Sequence, residues 1–335
     1  MDPSQLDWPA LDRLREIFLR GAPLAEPYWR GAADLAAYDP TFGERIGWKW
    51  DAALGELRRR GWRPAGDDAA ATSPGAVLDW GCGSGVAGRR VVAAWGAENV
   101  SVLRVWDHSS AARTFASGRA RTTFPGLAVE EFLDDGKSPV GLLVLSHVMN
   151  ELTPAARAGL LALVARARAI LWVEPGTPAV SRELVAFRER LRGEFSLIAP
   201  CPHAGACGLL APGNERHWCH FFAPPPPGLQ ADSGWVKFGQ RAGIDLRSLP
   251  YSWLALERSP AFPPPAGASR VLGRVERFKG YLRVLSCGAD GRVEPLEMQK
   301  RTDPALFRRM ERTTGHPPYR WQRDADGRIT GATEA

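Results

Sequence analysis

The spacing of apolar residues divides the chain. Leu11, Leu14, Ile17 and Phe18, then Leu35, Ala36, Leu54 and Leu57, recur at helical intervals between polar residues, which predicts a helical lead-in over 1–70. From about 75 the pattern becomes short apolar runs alternating with amphipathic stretches. Strands are expected over 76–80 (AVLDW), 101–107 (SVLRVWD), 127–132 (LAVEEF) and 140–147 (VGLLVLSH). The run at 140–147 is almost wholly apolar, as a strand covered on both faces should be. Thr153-Pro154 and Thr177-Pro178 each combine an N-cap residue with a proline suited to a first helical turn. Further strands follow at 169–175, 195–200 and 251–258. Such alternation predicts an α/β, doubly wound, mostly parallel Rossmann-like sheet over 71–258. A proline-rich linker is expected over 259–269. Three short alternating runs over 270–320, with Asp290-Gly291 as a hairpin turn, predict a small antiparallel OB-like module. The polar stretch 321–335 is expected to be a disordered tail.

Composition narrows the class. The chain has 335 residues, 44% hydrophobic and 24% charged, an ordinary globular balance with room for more than one domain. No run is long and apolar enough for a bilayer span, and no signal or transit segment is evident, so a cytoplasmic, bacterial-type location without membrane contact is expected. A formal net charge of +6 is compatible with an anionic partner. Its densest cations lie in 270–320, where Arg274, Arg277, Lys279, Arg283, Lys300 and Arg301 are candidates for phosphate contacts.

The first strand runs into DWGCGSG. Asp79, Gly81, Gly83 and Gly85 form an acid-plus-glycine loop that lets a ligand approach the backbone closely. Gly83, Gly85 and Gly88 also satisfy the dinucleotide pattern, so the glycines alone do not choose a cofactor. Asp79 favours S-adenosylmethionine, whose amino group and sulfonium are cationic. Asp107, at the end of the second strand, suits the ribose hydroxyls of either cofactor. Cys82 is expected to pack within the loop. At the end of the fourth strand stand His147, Asn150 and Glu151, candidates for general-base work, although Asn150 and Glu151 could equally start the next helix or order the loop. No familiar methyl-transfer motif surrounds them. Glu174, at the end of the fifth strand, is expected beside the same cleft.

Five cysteines in a chain without a secretory signal argue for metal chemistry over a disulfide framework. Cys201, Cys207 and Cys219 lie within a 200–245 loop region, and Cys287 lies far downstream. The wide spacing suits an iron–sulfur cluster better than a zinc ribbon. Zinc remains open, with His203, His217 or His220 able to replace Cys287.

The segments VLDWGCGSG, SHVMNEL, VEPGTP, APCPHAGAC and HWCHF, together with Cys287, resemble the Rsm22-like family of methyltransferase-like small-subunit factors. The likeness covers about 75–315. It implies a Class I methyltransferase fold and S-adenosylmethionine binding, with His147 among the residues lining the cofactor site. It also implies a 4Fe–4S cluster on Cys201, Cys207, Cys219 and Cys287, and monomeric action on small-subunit ribosomal RNA and proteins in assembly or translation. Catalysis is not implied, since mitochondrial members are thought to have lost it. The competing readings are an active methyltransferase on ribosomal RNA or protein and a zinc-containing NAD-linked oxidoreductase.

Overall fold

Helix caps and glycine stops set most element boundaries in the structure, a computed structural model that describes residues 2–20, 28–64, 75–258 and 262–335. The expected lead-in boundary near 70 and the linker positions 259–261 lie outside the described residues. The chain forms two compact units, Met1–Val173 with Pro225–Leu249, and Glu174–Pro224 with Pro250–Ala335.

The first unit opens with helices α1 (Trp8–Arg20), α2 (Ala32–Tyr38) and α3 (Glu44–Arg59). Their apolar faces are buried as the spacing requires, and Leu14 and Leu35 join Trp29, Tyr38 and Ala112 in one cluster. Burying each such side chain contributes about 1.5–3 kcal/mol. Then come β1 (Gly75–Trp80), α4 (Val86–Trp95), β2 (Val100–Trp106), α5 (Ser110–Thr123), β3 (Val129–Glu131), β4 (Val140–Ser146), α6 (Pro154–Arg166) and β5 (Ala167–Pro175). These strands lie in the order β3-β2-β1-β4-β5 and pair in parallel. The strand order reverses between β1 and β4, and ligands of open α/β sheets bind outside the carboxyl ends at such a switch point. Ser109 caps α5 through the Ala112 N–H, and Thr153 caps α6 through the Ala156 N–H.

In the second unit α7 (Pro178–Leu191) starts at the expected proline, but the Thr177 hydroxyl makes no capping bond. β6 (Ser196–Ala199) and β7 (Phe221–Phe222) follow, and the chain returns to the first unit for α8 (Ser233–Ala242), capped by Asp232. β8 (Pro250–Glu257) pairs antiparallel with both β6 and β7. Strand alternation alone therefore overstated the parallel character.

β9 (Arg270–Phe278), β10 (Tyr281–Cys287) and β11 (Val293–Gln299) form an antiparallel sheet in the order β11-β10-β9. The OB-like expectation is corrected here. One face of this sheet packs its Val271, Leu282, Val284, Leu296 and Met298 against Leu306, Phe307 and Met310 of α9 (Pro304–Arg312), so the sheet is covered and does not curl into a barrel. The expected disordered tail contains β12 (Tyr319–Arg323) and β13 (Ile329–Glu334), an antiparallel hairpin. Tyr319 and Ile329 anchor it in the same core. Sparse but well-placed apolar residues outweigh a polar average.

Candidate functional site

In the first unit, the loop after β1 wraps the end of β2. The N–H groups of Gly81 and Cys82 both donate to the Trp106 carbonyl, at 2.8 and 2.9 Å. Gly81, Gly83 and Gly85 all have positive φ, at 72°, 51° and 77°. At Gly81 a Cβ would also stand 2.7 Å from Val148 Cγ1, so the position has both a conformational and a steric need for glycine. Cys82 is buried, and burial raises its thiol well above the usual range.

The two acids in this unit differ in setting. Asp107 is buried, and its carboxylate accepts the Gly83 N–H at 3.0 Å and the Ser109 N–H at 2.9 Å. It ties the loop to β2 and keeps lone pairs for a ligand hydroxyl. Asp79 is fully buried; one oxygen accepts the Gly88 N–H at 2.9 Å and the other has no hydrogen-bond partner among the described residues. Burial pushes its pKa up to about 7. A cationic group delivered to that orphaned oxygen would relieve the penalty, so the acid, the glycine cradle and Asp107 fit S-adenosylmethionine chemically.

At the end of β4, His147 holds φ 57°, the single positive φ of a non-glycine residue among those described. Its N–H donates to the Val173 carbonyl at 2.9 Å, and its Nε2 is buried without a hydrogen-bond partner among the described residues. Burial, then the nearby Lys49 charge, lowers its pKa well below the ordinary value, so the ring is neutral. Backbone strain of this kind is a pointer to function. Asn150 and Glu151 lie in a short helical turn, Met149–Glu151, which accords with a local ordering role. Glu151 accepts the Tyr28 hydroxyl at 3.1 Å. Tyr28 and Trp29 were not singled out in the sequence, yet Tyr28 packs edge-on to His108 and Trp29 Cζ2 lies 3.7 Å from where a Gly83 Cβ would be. An aromatic pair inside a polar lead-in was the available signal. Glu174 is fully buried and belongs to the second unit.

The second unit holds the distant cysteines. Cys201, Cys207, Cys219 and Cys287 are all free thiols. They lie near enough to influence one another's ionisation. Burial, then the charges of Cys201, Cys207 and Cys287, raises Cys219 well above the ordinary thiol value, and burial followed by Cys201 and Cys207 raises Cys287. The loop after β6 packs on the β10–β11 turn. A Cβ on Gly208 would clash with the Gly291 carbonyl at 2.2 Å, so only glycine allows this approach. The Cys219 carbonyl accepts hydrogen bonds from Ser181 and from Ser252, the latter at 2.7 Å.

Two buried cations that sequence spacing could not reveal face the thiols. Arg188 donates to the carbonyls of Gly205 and His203, at 2.7 and 3.3 Å, and contacts Cys201; the Arg270 charge acts on Cys219 and Cys287. Four thiols without disulfides, beside two buried guanidiniums, are a donor set suited to a negatively charged metal–thiolate centre. Among the described residues, no three His, Cys, Asp or Glu side chains are already placed to hold a metal ion. Closing a site would need the sulfurs to adjust to the group they receive. His203, His217 and His220 all have lowered pKa values, with burial the leading cause in each.

The candidate RNA-contacting cations separate into two sets. Arg274 stacks over Phe222 at 4.2 Å, Arg277 pairs with Glu311 at 2.5 Å, and Arg283 pairs with Glu297 at 3.0 Å and Glu276 at 3.7 Å. Lys279, Lys300 and Arg301 are exposed and carry no ion pair among the described residues. No helix among the described residues is long and apolar enough to cross a membrane.

Among solved structures, a magnesium protoporphyrin IX methyltransferase from Synechocystis with bound S-adenosylhomocysteine is similar, at 14% identity, TM-score 0.38, and 77% of this chain and 97% of that one covered. A S-adenosylmethionine-dependent methyltransferase from Thiobacillus denitrificans is similar at 15% identity and TM-score 0.35, with 66% and 94% covered. No relative is found among curated proteins. Residues 67–324 match the family described as mitochondrial small ribosomal subunit Rsm22. That match spans the glycine loop, the cysteine segment and the antiparallel sheet, and the chain belongs to the Rsm22 family.

Proposed function

We propose that this chain is a methyltransferase-like factor of the small ribosomal subunit that binds S-adenosylmethionine and docks, as a monomer, on ribosomal RNA and proteins. The family match over residues 67–324 carries this reading. The first unit holds the cofactor site, the second holds the cysteines proposed to bind metal, and 270–320 in that second unit faces RNA.

Bound S-adenosylmethionine would supply an activated methyl group. Gly81, Gly83 and Gly85 let the backbone approach it, Asp107 accepts its ribose hydroxyls, Asp79 balances its positive charge, and His147 lines the site. The glycine torsions and the orphaned Asp79 oxygen support these roles. Cys201, Cys207, Cys219 and Cys287 hold a 4Fe–4S cluster, zinc being the alternative, and Arg188 and Arg270 offset its charge. The role is structural: the group ties the loop after β6 to β10.

A second reading, active methyl transfer to ribosomal RNA or protein, draws on His147, whose strained backbone and neutral ring suit a residue that touches substrate. Incubation with labelled S-adenosylmethionine and immature small subunits separates the two. The assembly reading expects label bound to the protein and lost on Asp79→Ala, with none in RNA or other proteins. Covalent label in either, lost in the same variant, replaces it with the enzyme.

A further inference from the structure

Phe278 is 40% exposed, one of few large apolar side chains in the described residues left in solvent. It closes β9, and Tyr281 opens β10 directly opposite it. Their rings stack in parallel, with centroids 4.6 Å apart and planes 4° apart, and the Arg283 guanidinium lies 4.9 Å from the Phe278 centroid. The sheet's other face is the one sealed by α9 and the terminal hairpin, so this stack serves no core.

The charge around it is ordered as well. Lys279 and Gly280 make the turn between the two rings. The Lys300 N–H donates to the Gly280 carbonyl at 2.9 Å, which brings Lys300 and Arg301 to the same end of the sheet. Lys279 in the turn and Arg301 at the adjacent strand end therefore lie beside the rings without ion pairs among the described residues, whereas the Lys300 ammonium lies 6.0 Å from the Phe307 ring centroid of α9, and Arg283, held by Glu276 and Glu297, stacks on Phe278.

We propose that the Phe278–Tyr281 pair is a base-stacking platform for single-stranded RNA, with Lys279 and Arg301 holding the backbone beside the stacked base. Flat rings beside cations discriminate among polyanions. An acidic protein surface would use the charges and leave the rings idle. A duplex buries its base faces, so it too would meet only the cations. An unpaired nucleotide uses both, and aromatic stacking accepts any base. This inference rests on the RNA-docking reading and adds to it the site and the strandedness of the RNA.

The test measures binding of the full metal-loaded chain to a labelled single-stranded oligonucleotide of mixed sequence, to the same RNA as a duplex, and to an acidic peptide, across a salt series. Phe278→Ala and Tyr281→Ala should each weaken single-strand binding by about 5- to 100-fold. Both should leave the salt slope and duplex binding nearly unchanged. Phe278→Trp, which keeps a ring, should bind as the parent does. Lys279→Ala should lower the salt slope by about one for both RNA forms. Equal binding by the parent and both alanine variants, with folding intact by thermal melting, overturns the platform alone. Equal loss on single strand and duplex does the same. Preference of the parent for the acidic peptide also overturns it. A parent chain that binds no RNA overturns both the platform and the docking reading beneath it.

Discussion

The two units prepare their sites by different means. In the first, the backbone does most of the work: three left-handed glycines and the Asp107 carboxylate fix the loop before any ligand arrives. In the second, the chain gathers thiols whose buried, mutually repelling charges oppose ionisation, and relies on Arg188, Arg270 and two serines to hold the loop. A preformed cradle should survive loss of its ligand. A loop that gathers thiols around a central group should not.

The largest expected effect follows from that contrast. On the proposed cluster reading, Cys219→Ser should lower the stability of the second unit by about 3–5 kcal/mol, since losing one of four ligands would release the centre and the loop it organises. Iron content and thermal melting measured together check this, and unchanged values for both would remove the contrast. Next is pH. The native Asp79 pKa is raised to about 7 by burial, so the folded state keeps a proton that the unfolded chain releases near pH 4. That stabilisation is complete below about pH 4 and is lost as pH rises through about 7, a decline of about 2–4 kcal/mol. Urea melts of the ligand-free chain should show the slope, and Asp79→Asn should flatten it.

Gly81→Ala is smaller. A φ of 72° and the Val148 contact should cost about 1–3 kcal/mol, with S-adenosylmethionine binding lost by calorimetry. If the variant binds the cofactor with undiminished affinity, the loop is not its cradle. The smallest is Arg277→Ala. Its pair with Glu311 is largely exposed, so stability should change by less than about 0.5 kcal/mol. Its RNA salt slope should fall less than that of Lys279→Ala, because a neutralised arginine releases fewer counterions.

The first unit was the more legible in sequence because its logic is local. Apolar runs marked β1, β2, β4 and β5; Asp79 is the penultimate residue of β1 and Asp107 directly follows β2. The antiparallel β6–β8 pairing was not legible, because an apolar strand reads alike in either direction. The hairpin at 319–334 was hidden by its polar composition, since its hold on the core lies in Tyr319 and Ile329. In the second unit residue type identified the cysteines, yet their cationic partners lie on α7 and β9, outside the cysteine segment itself. Arg188 looked like any helix-surface cation until the fold buried it. Density along the sequence marks six candidate RNA cations without showing their partners: Arg277 pairs with Glu311 of α9, and Arg283 pairs across strands with Glu297.

The docking reading is tested most directly by the RNA that accompanies the tagged full chain when it is isolated from its own cells at low salt. Small-subunit ribosomal RNA should be enriched over large-subunit RNA, and the enrichment should fall steeply as salt is added. Recovery of no ribosomal RNA, or of both subunits' RNA in equal measure, would contradict a role on the small subunit.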